Sequence, residues 1–438
     1  MGSLLNVNIV SGLVVQVMYG LTGIVVVTLL LVRPGRLWSR RGWLITSLVA
    51  AAVGAAIGLW VEWYFIDTQN VLGMSPTPVT RVWVSVGFAL LAIVIAGLWR
   101  ASWKRGIASV GAVVLVILTP AMAINIDFGQ YVSLNSALGI SAFSDNGLPA
   151  IAPAPIEGRP AVSDWQPPAG MPVEGTVSSV AIPGLISGFK ARNAIVYLPP
   201  AALTSNPPTL PVVMLLSGQP GAPEDALLAG NLKQELNSYA SQHGGLTPIV
   251  ISPDQLGSRS NDPMCLDSPL GNSDTYLTKD VRNWVEANLP VATDAAHWAI
   301  AGFSQGGTCA IQLGATHPDI FGTLIDVSGE LDVSLGDPKT TTTAAFNGDS
   351  SAYDAAQPLA ILAAGAPFND TYAIFAVGAN DATFKPQQQK VEAAAAAAGM
   401  HTTYFEVPNS AHDWHTAGIA LTQAFDETFS RWSLVATR

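Results

Sequence analysis

Four uninterrupted apolar stretches at the start of this 438-residue chain restrict its fold more than any other feature. They cover about 9–32, 43–60, 82–99 and 107–126, each roughly 18–24 residues long. At about 1.5 Å rise per residue in a helix, that length matches a hydrocarbon layer about 30 Å thick. The first run contains no charged side chain, and the others carry none before their ends. One such run could be a cleaved signal peptide, but four cannot, and the first lacks the basic segment a signal peptide needs. Helices buried in a soluble globule would carry polar stripes, which are missing here. The expectation is a four-helix transmembrane anchor over 1–126.

Charge divides the chain at the same point. Arg33, Arg36, Arg40, Arg41, Arg81, Arg100, Lys104 and Arg105 precede residue 127, against only Glu62 and Asp67. The remainder is strongly acidic, and the whole chain has a net charge of −11. That balance argues against nucleic-acid binding, which needs a basic face. Only 12% of residues are charged, and the apolar content excludes a disordered polyelectrolyte. Basic residues concentrate in the loops between the first and second runs and between the third and fourth. The positive-inside rule puts those loops in the cytoplasm, and both chain ends outside. Trp38, Trp43, Trp60, Trp63, Trp83, Trp99 and Trp103 sit at run ends, as interfacial belts do. Glu62, at a run edge, is expected to reach the interface. Gly54 and Gly58 fit a small-xxx-small helix contact. With no charge deep in a run, the helices read as an anchor and not a transport path.

Residues 127–175 are rich in proline (Pro149, Pro153, Pro155, Pro160, Pro167, Pro168, Pro172) and read as an extracytoplasmic linker. From 176 to 438 short β-branched segments alternate with helical ones. Strands are expected at 177–182, 191–198, 212–216, 248–252, 298–302, 322–327, 373–377 and 403–407. Helices are expected at 224–242, 276–288, 305–316, 387–398 and 414–432. This order predicts a mostly parallel sheet covered by helices, with an antiparallel edge.

Gly302-Phe303-Ser304-Gln305-Gly306 follows a predicted strand and precedes a predicted helix. That is the context of a G-x-S-x-G nucleophile elbow, in which a strained turn lifts the serine hydroxyl clear of the sheet. Small residues two before and two after let the helix pack against the strand. The base should lie after the last strand. His412 occupies that loop and is preferred over His415, while His317 and His401 read as structural. The acid should follow an intervening strand, where Asp381 is preferred and Glu330 competes. Backbone N–H groups for an oxyanion are expected from Gln305 and from Gln219 in the turn Ser217-Gly218-Gln219-Pro220-Gly221. Cys265 and Cys309 form a possible disulfide, permitted outside the membrane. Asp254, Asp262, Asp267 and Asp274 read as solvated loop acids, not metal ligands, since no D-x-D-x-D-G loop is present. Residues 331–367 are expected to be a lid or an insertion.

The turn after the third strand, the Cys265-Leu266-Asp267-Ser268 loop, Gly302-Phe303-Ser304-Gln305-Gly306-Gly307 and the His412-Asp413-Trp414 ending resemble the putative-esterase family. That family includes esterase-D-like enzymes and actinobacterial mycolyltransferases. The resemblance covers about 176–435. It implies an α/β-hydrolase fold, acyl-ester chemistry without a cofactor, and Ser304, Asp381 and His412 as the triad. Mycolyltransferases place Asp and Arg where this chain has Ser217 and Pro220, use Glu as the acid, and are secreted. The anchored-esterase branch is therefore the closer match. The implied partners are an acyl-ester or lipid substrate and the bilayer; oligomeric state is open. Acyl transfer to a sugar, peptidase chemistry, and a non-catalytic binding protein with a hydrolase-like domain are the rivals.

Overall fold

The computed structural model describes residues 5–434, apart from 70, 72, 100, 144–146 and 150–157. Arg100, Pro153 and Pro155, used above, lie outside the described residues. The chain separates into two units, Met1–Ile140 and Ser141–Arg438.

The first unit contains four helices long and apolar enough to cross a membrane. They are α1 (Leu13–Leu31), α2 (Arg40–Val61), α3 (Pro78–Leu98) and α4 (Trp103–Phe128). Ser39, Thr77 and Ser102 cap the last three, each accepting a backbone N–H two or three positions into the helix. Gly54 and Gly58 set the α2–α3 contact: a Cβ at Gly54 would collide with the Phe88 carbonyl, and one at Gly58 would sit 2.9 Å from Ser85 Cα.

Three expectations change here. Glu62 does not stand exposed at the end of a helix. The helix continues past it as a π-helical segment, Glu62–Thr68, so the residue lies inside the element, where it is 1% exposed. Neither of its carboxylate oxygens has a hydrogen-bond partner among the described residues. Trp43 is also no belt residue. It is 1% exposed, donates to the Leu29 carbonyl at 2.9 Å, and lies beneath the Arg105 guanidinium. The division between units also falls later than the composition suggests. Asp127, still within α4, accepts hydrogen bonds from Thr77 and Thr80, and beyond the helix Ser133 bridges to Asn8, so the stretch after α4 stays with the first unit.

The second unit is built on eight strands: β1 (Thr176–Val180), β2 (Ala194–Leu198), β3 (Val212–Leu216), β4 (Ile249–Ser252), β5 (Trp298–Phe303), β6 (Thr323–Val327), β7 (Tyr372–Gly378) and β8 (His401–Val407). Their spatial order is β1-β2-β4-β3-β5-β6-β7-β8. β2 is antiparallel to both β1 and β4, and the remaining pairs are parallel. This is the α/β-hydrolase sheet. β2 to β6 are buried along their whole length, which explains why they read as continuous apolar runs.

The expected helix at 224–242 is broken at Asn231, which takes φ 57°, so only α5 (Leu232–Gln242) is a full helix. α6 (Arg282–Asn288), α7 (Gln305–Thr316), α11 (Lys385–Ala397) and α12 (Trp414–Arg431) fall close to the expected positions. The 331–367 segment folds into α8 (Pro338–Phe346), α9 (Ser350–Ala355) and α10 (Pro358–Gly365). Residues from 160 to 175 run over this unit: Trp165 is buried and donates to the Gly244 carbonyl at 3.1 Å.

Candidate active site

Ser304 joins β5 to α7 in a conformation that few non-glycine residues adopt, with φ 58° and ψ −124°. Close packing holds it there. A Cβ on Gly302 would collide with the Gly306 carbonyl, and one on Gly306 would meet the Leu216 and Ser217 carbonyls at 2.5 Å. Helix α7, strand β5 and the neighbouring turn thus approach each other at distances only glycine permits. The Ser304 N–H donates to the Val327 carbonyl of β6 at 2.8 Å.

Three distant segments converge on this turn. His412, in the loop after β8, has Nε2 2.9 Å from Ser304 Oγ and Nδ1 3.1 Å from Asp381 Oδ2. The other Asp381 oxygen accepts the N–H groups of Thr383 and Phe384 at 3.2 and 2.9 Å. The acid, 4% exposed, is therefore fixed on both sides. Asp413 stiffens the histidine loop: it accepts from the Ser410 hydroxyl, the Ala411 N–H and the Thr416 N–H, and caps α12. Phe303 and Phe384 both stack on the imidazole, with ring centroids 4.8 and 4.0 Å away. The imidazole is thus held between two aromatic rings.

Gly218 lies against Ser304, since a Cβ there would stand 3.4 Å from the serine Cβ. The N–H groups of Gln219 and Gln305 have no hydrogen-bond acceptor among the described residues. The turn is braced from behind: Arg192 donates to both Asp254 oxygens at 3.0 and 2.7 Å and to the Gly221 carbonyl at 3.0 Å. Gln255 Nε2 bonds the Ser217 carbonyl at 2.6 Å and Gln305 Oε1 at 3.2 Å.

The remaining candidates fall elsewhere. Glu330 is not near the imidazole nitrogens; its N–H bonds Thr308 Oγ1, and burial beside Asp262, Asp332 and Asp326 pushes its carboxyl up to about 8. His415 lines a cleft of about 550 Å³ with Glu235 and Asp426. His317 pairs with Asp274 at 2.8 Å, and His401 bonds the Asn369 carbonyl.

The four loop acids are not simply solvated. Asp254 is fully buried on Arg192, Asp267 accepts from Thr275, and Asp274 holds His317. Asp262 accepts from Gln305 Nε2, and burial pushes it up to about 6. No group of three ligand-type side chains suited to a metal exists among the described residues. Cys265 and Cys309 are bonded, with Cα atoms 5.6 Å apart, tying the 265 loop to α7.

Phe384, Arg192, Gln255 and Asp326 were invisible as site residues in the sequence. Asp326 is fully buried under the elbow, where burial raises it to about 7 against the lowering effect of bonds from Gln388 and Gly329. No motif spacing marks any of the four, because each acts through a partner far along the chain.

Solved structures of the same fold include a ferulic acid esterase (TM-score 0.51, 18% identity, covering 59% of this chain and 99% of that one). Another is an S-formylglutathione hydrolase from Agrobacterium tumefaciens (TM-score 0.50, 16% identity, covering 60% of this chain and 97% of that one). An uncharacterized protein of Corynebacterium glutamicum is 30% identical over 398 residues, 88% of this chain and 90% of its own length. The Putative esterase family profile matches residues 190–428, more than half of the chain. With the sheet, the elbow and this match together, the chain belongs to the Putative esterase family.

Proposed function

We propose that the protein is a membrane-anchored serine esterase acting on acyl esters through Ser304, His412 and Asp381. The observation that carries this reading is the unbroken chain of contacts from Ser304 Oγ through the imidazole to a buried carboxylate. Ser304 Oγ attacks the ester carbonyl carbon as its proton passes to His412 Nε2. Asp381, accepting from Nδ1–H, fixes the ring and stabilises the imidazolium. The N–H groups of Gln219 and Gln305 receive the oxyanion, each donor contributing on the order of 10²–10³ in rate. Collapse expels the alcohol, which takes the proton from His412. Water, deprotonated by the same nitrogen, then releases the acid from Ser304.

The four apolar helices would supply the anchor, and the basic loops between them support an extracytoplasmic catalytic unit. The disulfide suits that oxidising side. The test is labelling of membranes with a fluorophosphonate probe. Wild type should label and Ser304→Ala should not; equal labelling of both removes this mechanism.

A further inference from the structure

The sheet register determines which loops share an edge with Ser304. β3 is parallel to β5 with Leu216 opposite Gly302, so both leave the sheet on the nucleophile's side. β4 is parallel to β3, and β2 runs against β4 with Ile195 opposite Ser252. β2 therefore starts at that same edge, and the loop leading into it, residues 181–193, opens there. The loop is fastened to the site region at two points. Arg192 holds Asp254 and the Gly221 carbonyl, and Phe189 packs against the backbone of Gly257 and Gly271.

At the tip of this loop, Leu185 is 84% exposed and Ile186 57% exposed. Among the described residues of this unit, no other two neighbouring large aliphatic side chains are both more than half exposed. The tip is nevertheless built rigidly. Asp280 accepts the N–H groups of Ile186 and Ser187 at 2.8 and 3.0 Å, and the Gly188 N–H returns to the Gly184 carbonyl at 3.0 Å. Asn272 Nδ2 bonds the Ser187 carbonyl at 2.8 Å. Lys190 on the same loop, and Lys279 next to Asp280, are exposed. A rigid apolar tip flanked by lysines suits the headgroup and upper acyl region of a bilayer, where apolar side chains enter and cations meet anionic lipid.

We propose that Leu185 and Ile186 form a prong that dips into a lipid surface and presents the Ser304 edge to esters carried in it. The occupant is lipid because the same chain carries four helices of spanning length, which hold a bilayer at high effective concentration. This rests on the esterase reading and narrows its substrate class to lipid-presented acyl esters.

The test uses full-length protein in nanodiscs containing some anionic lipid, with two substrates. One is a water-soluble short-chain nitrophenyl ester; the other is a fluorogenic long-chain ester lipid within the disc. Leu185→Ser/Ile186→Ser should keep hydrolysis of the soluble ester within about twofold and lose about tenfold or more on the bilayer ester. Equal activity on both overturns the prong, and so does parallel loss on both, which would place these side chains in the chemistry. Wild type active on the soluble ester alone also overturns it while sparing the esterase reading. An activity-independent readout covers the case in which wild type cleaves neither. Leu185→Cys carrying an environment-sensitive fluorophore should be quenched by nitroxide-labelled lipid. Emission untouched by such lipid overturns the proposal, including where a protein or a second copy shields the probe instead.

Discussion

Gly54 and Gly58 bring α2 onto the backbone of α3, and Gly302 and Gly306 bring β5, α7 and the Ser217 turn together beneath Ser304. The device is the same in both units, but its surroundings are opposite. In the first unit the large apolar side chains point outward: Leu13 is 74% exposed, Ile24 65% and Val110 69%. In the second they line a continuous core from Ile195 to Phe429, and the outward-facing pair Leu185–Ile186 stands out for that reason. Close backbone approach is thus independent of solvent, whereas the direction of apolar faces reports it. Polar burial differs in the same way. Glu62 in the helices has no hydrogen-bond partner among the described residues, while Asp254, Asp326 and Asp381 in the second unit each accept from N–H groups, an amide or Arg192.

The largest effect that would sharpen this contrast concerns Asp326. Its folded pKa, about 7, lies above the unfolded value of 3.8, so its contribution to stability is complete below pH 4 and is lost as pH rises through 7. The change is on the order of 4 kcal/mol. Hydrogen exchange of β6 in detergent-solubilised protein should show less protection at pH 8 than at pH 5. Asp326→Asn should flatten that dependence and leave α1–α4 unaffected. An unchanged profile would mean that Asp326 is not neutral when buried.

Next is the covalent tie. The Cys265–Cys309 bond closes a sequence separation of 44 residues, and the first unit contains no cysteine. Replacing both by serine should destabilise the catalytic unit by roughly 2–4 kcal/mol in a urea melt, and reductant should mimic it, with helical content of the first unit retained. Smaller again, Gly54→Ala pushes a methyl into the Phe88 carbonyl. It should cost about 1–3 kcal/mol of helix packing, seen as detergent sensitivity, and leave the hydrolysis rate of a solubilised enzyme unchanged. A matching loss of activity would break the independence of the two units. Smallest, Phe384→Leu should lower kcat about tenfold with little change in KM, and Phe384→Tyr should restore most of it. A change in KM alone would place the ring in substrate binding.

The sequence by itself determined whatever is encoded locally. Span length gave the number of apolar helices, and continuous β-branched runs gave all eight strands of the sheet. Strand, Gly-x-Ser-x-Gly and helix in succession pointed to Ser304, and a histidine after the last strand pointed to His412, the pair whose Oγ and Nε2 the structure brings to 2.9 Å. Each follows from spacing within some twenty residues, where backbone periodicity is sufficient. Only the tertiary structure decided among residues equivalent in local pattern. Asp381 and Glu330 both follow strands, yet the Asp381 carboxylate meets the imidazole because the Thr383 and Phe384 N–H groups aim it there. Glu62 looked like the end of a span until the helix ran past it, and Trp43 looked interfacial until Arg105 covered it. Asp254 looked like a solvated loop acid until Arg192, 62 residues away in sequence, claimed both of its oxygens. The physical reason is common to Asp381, Trp43 and Asp254. Hydrogen bonds and ring contacts depend on ångström-scale convergence of distant segments, and no local period in the chain records which segments will converge.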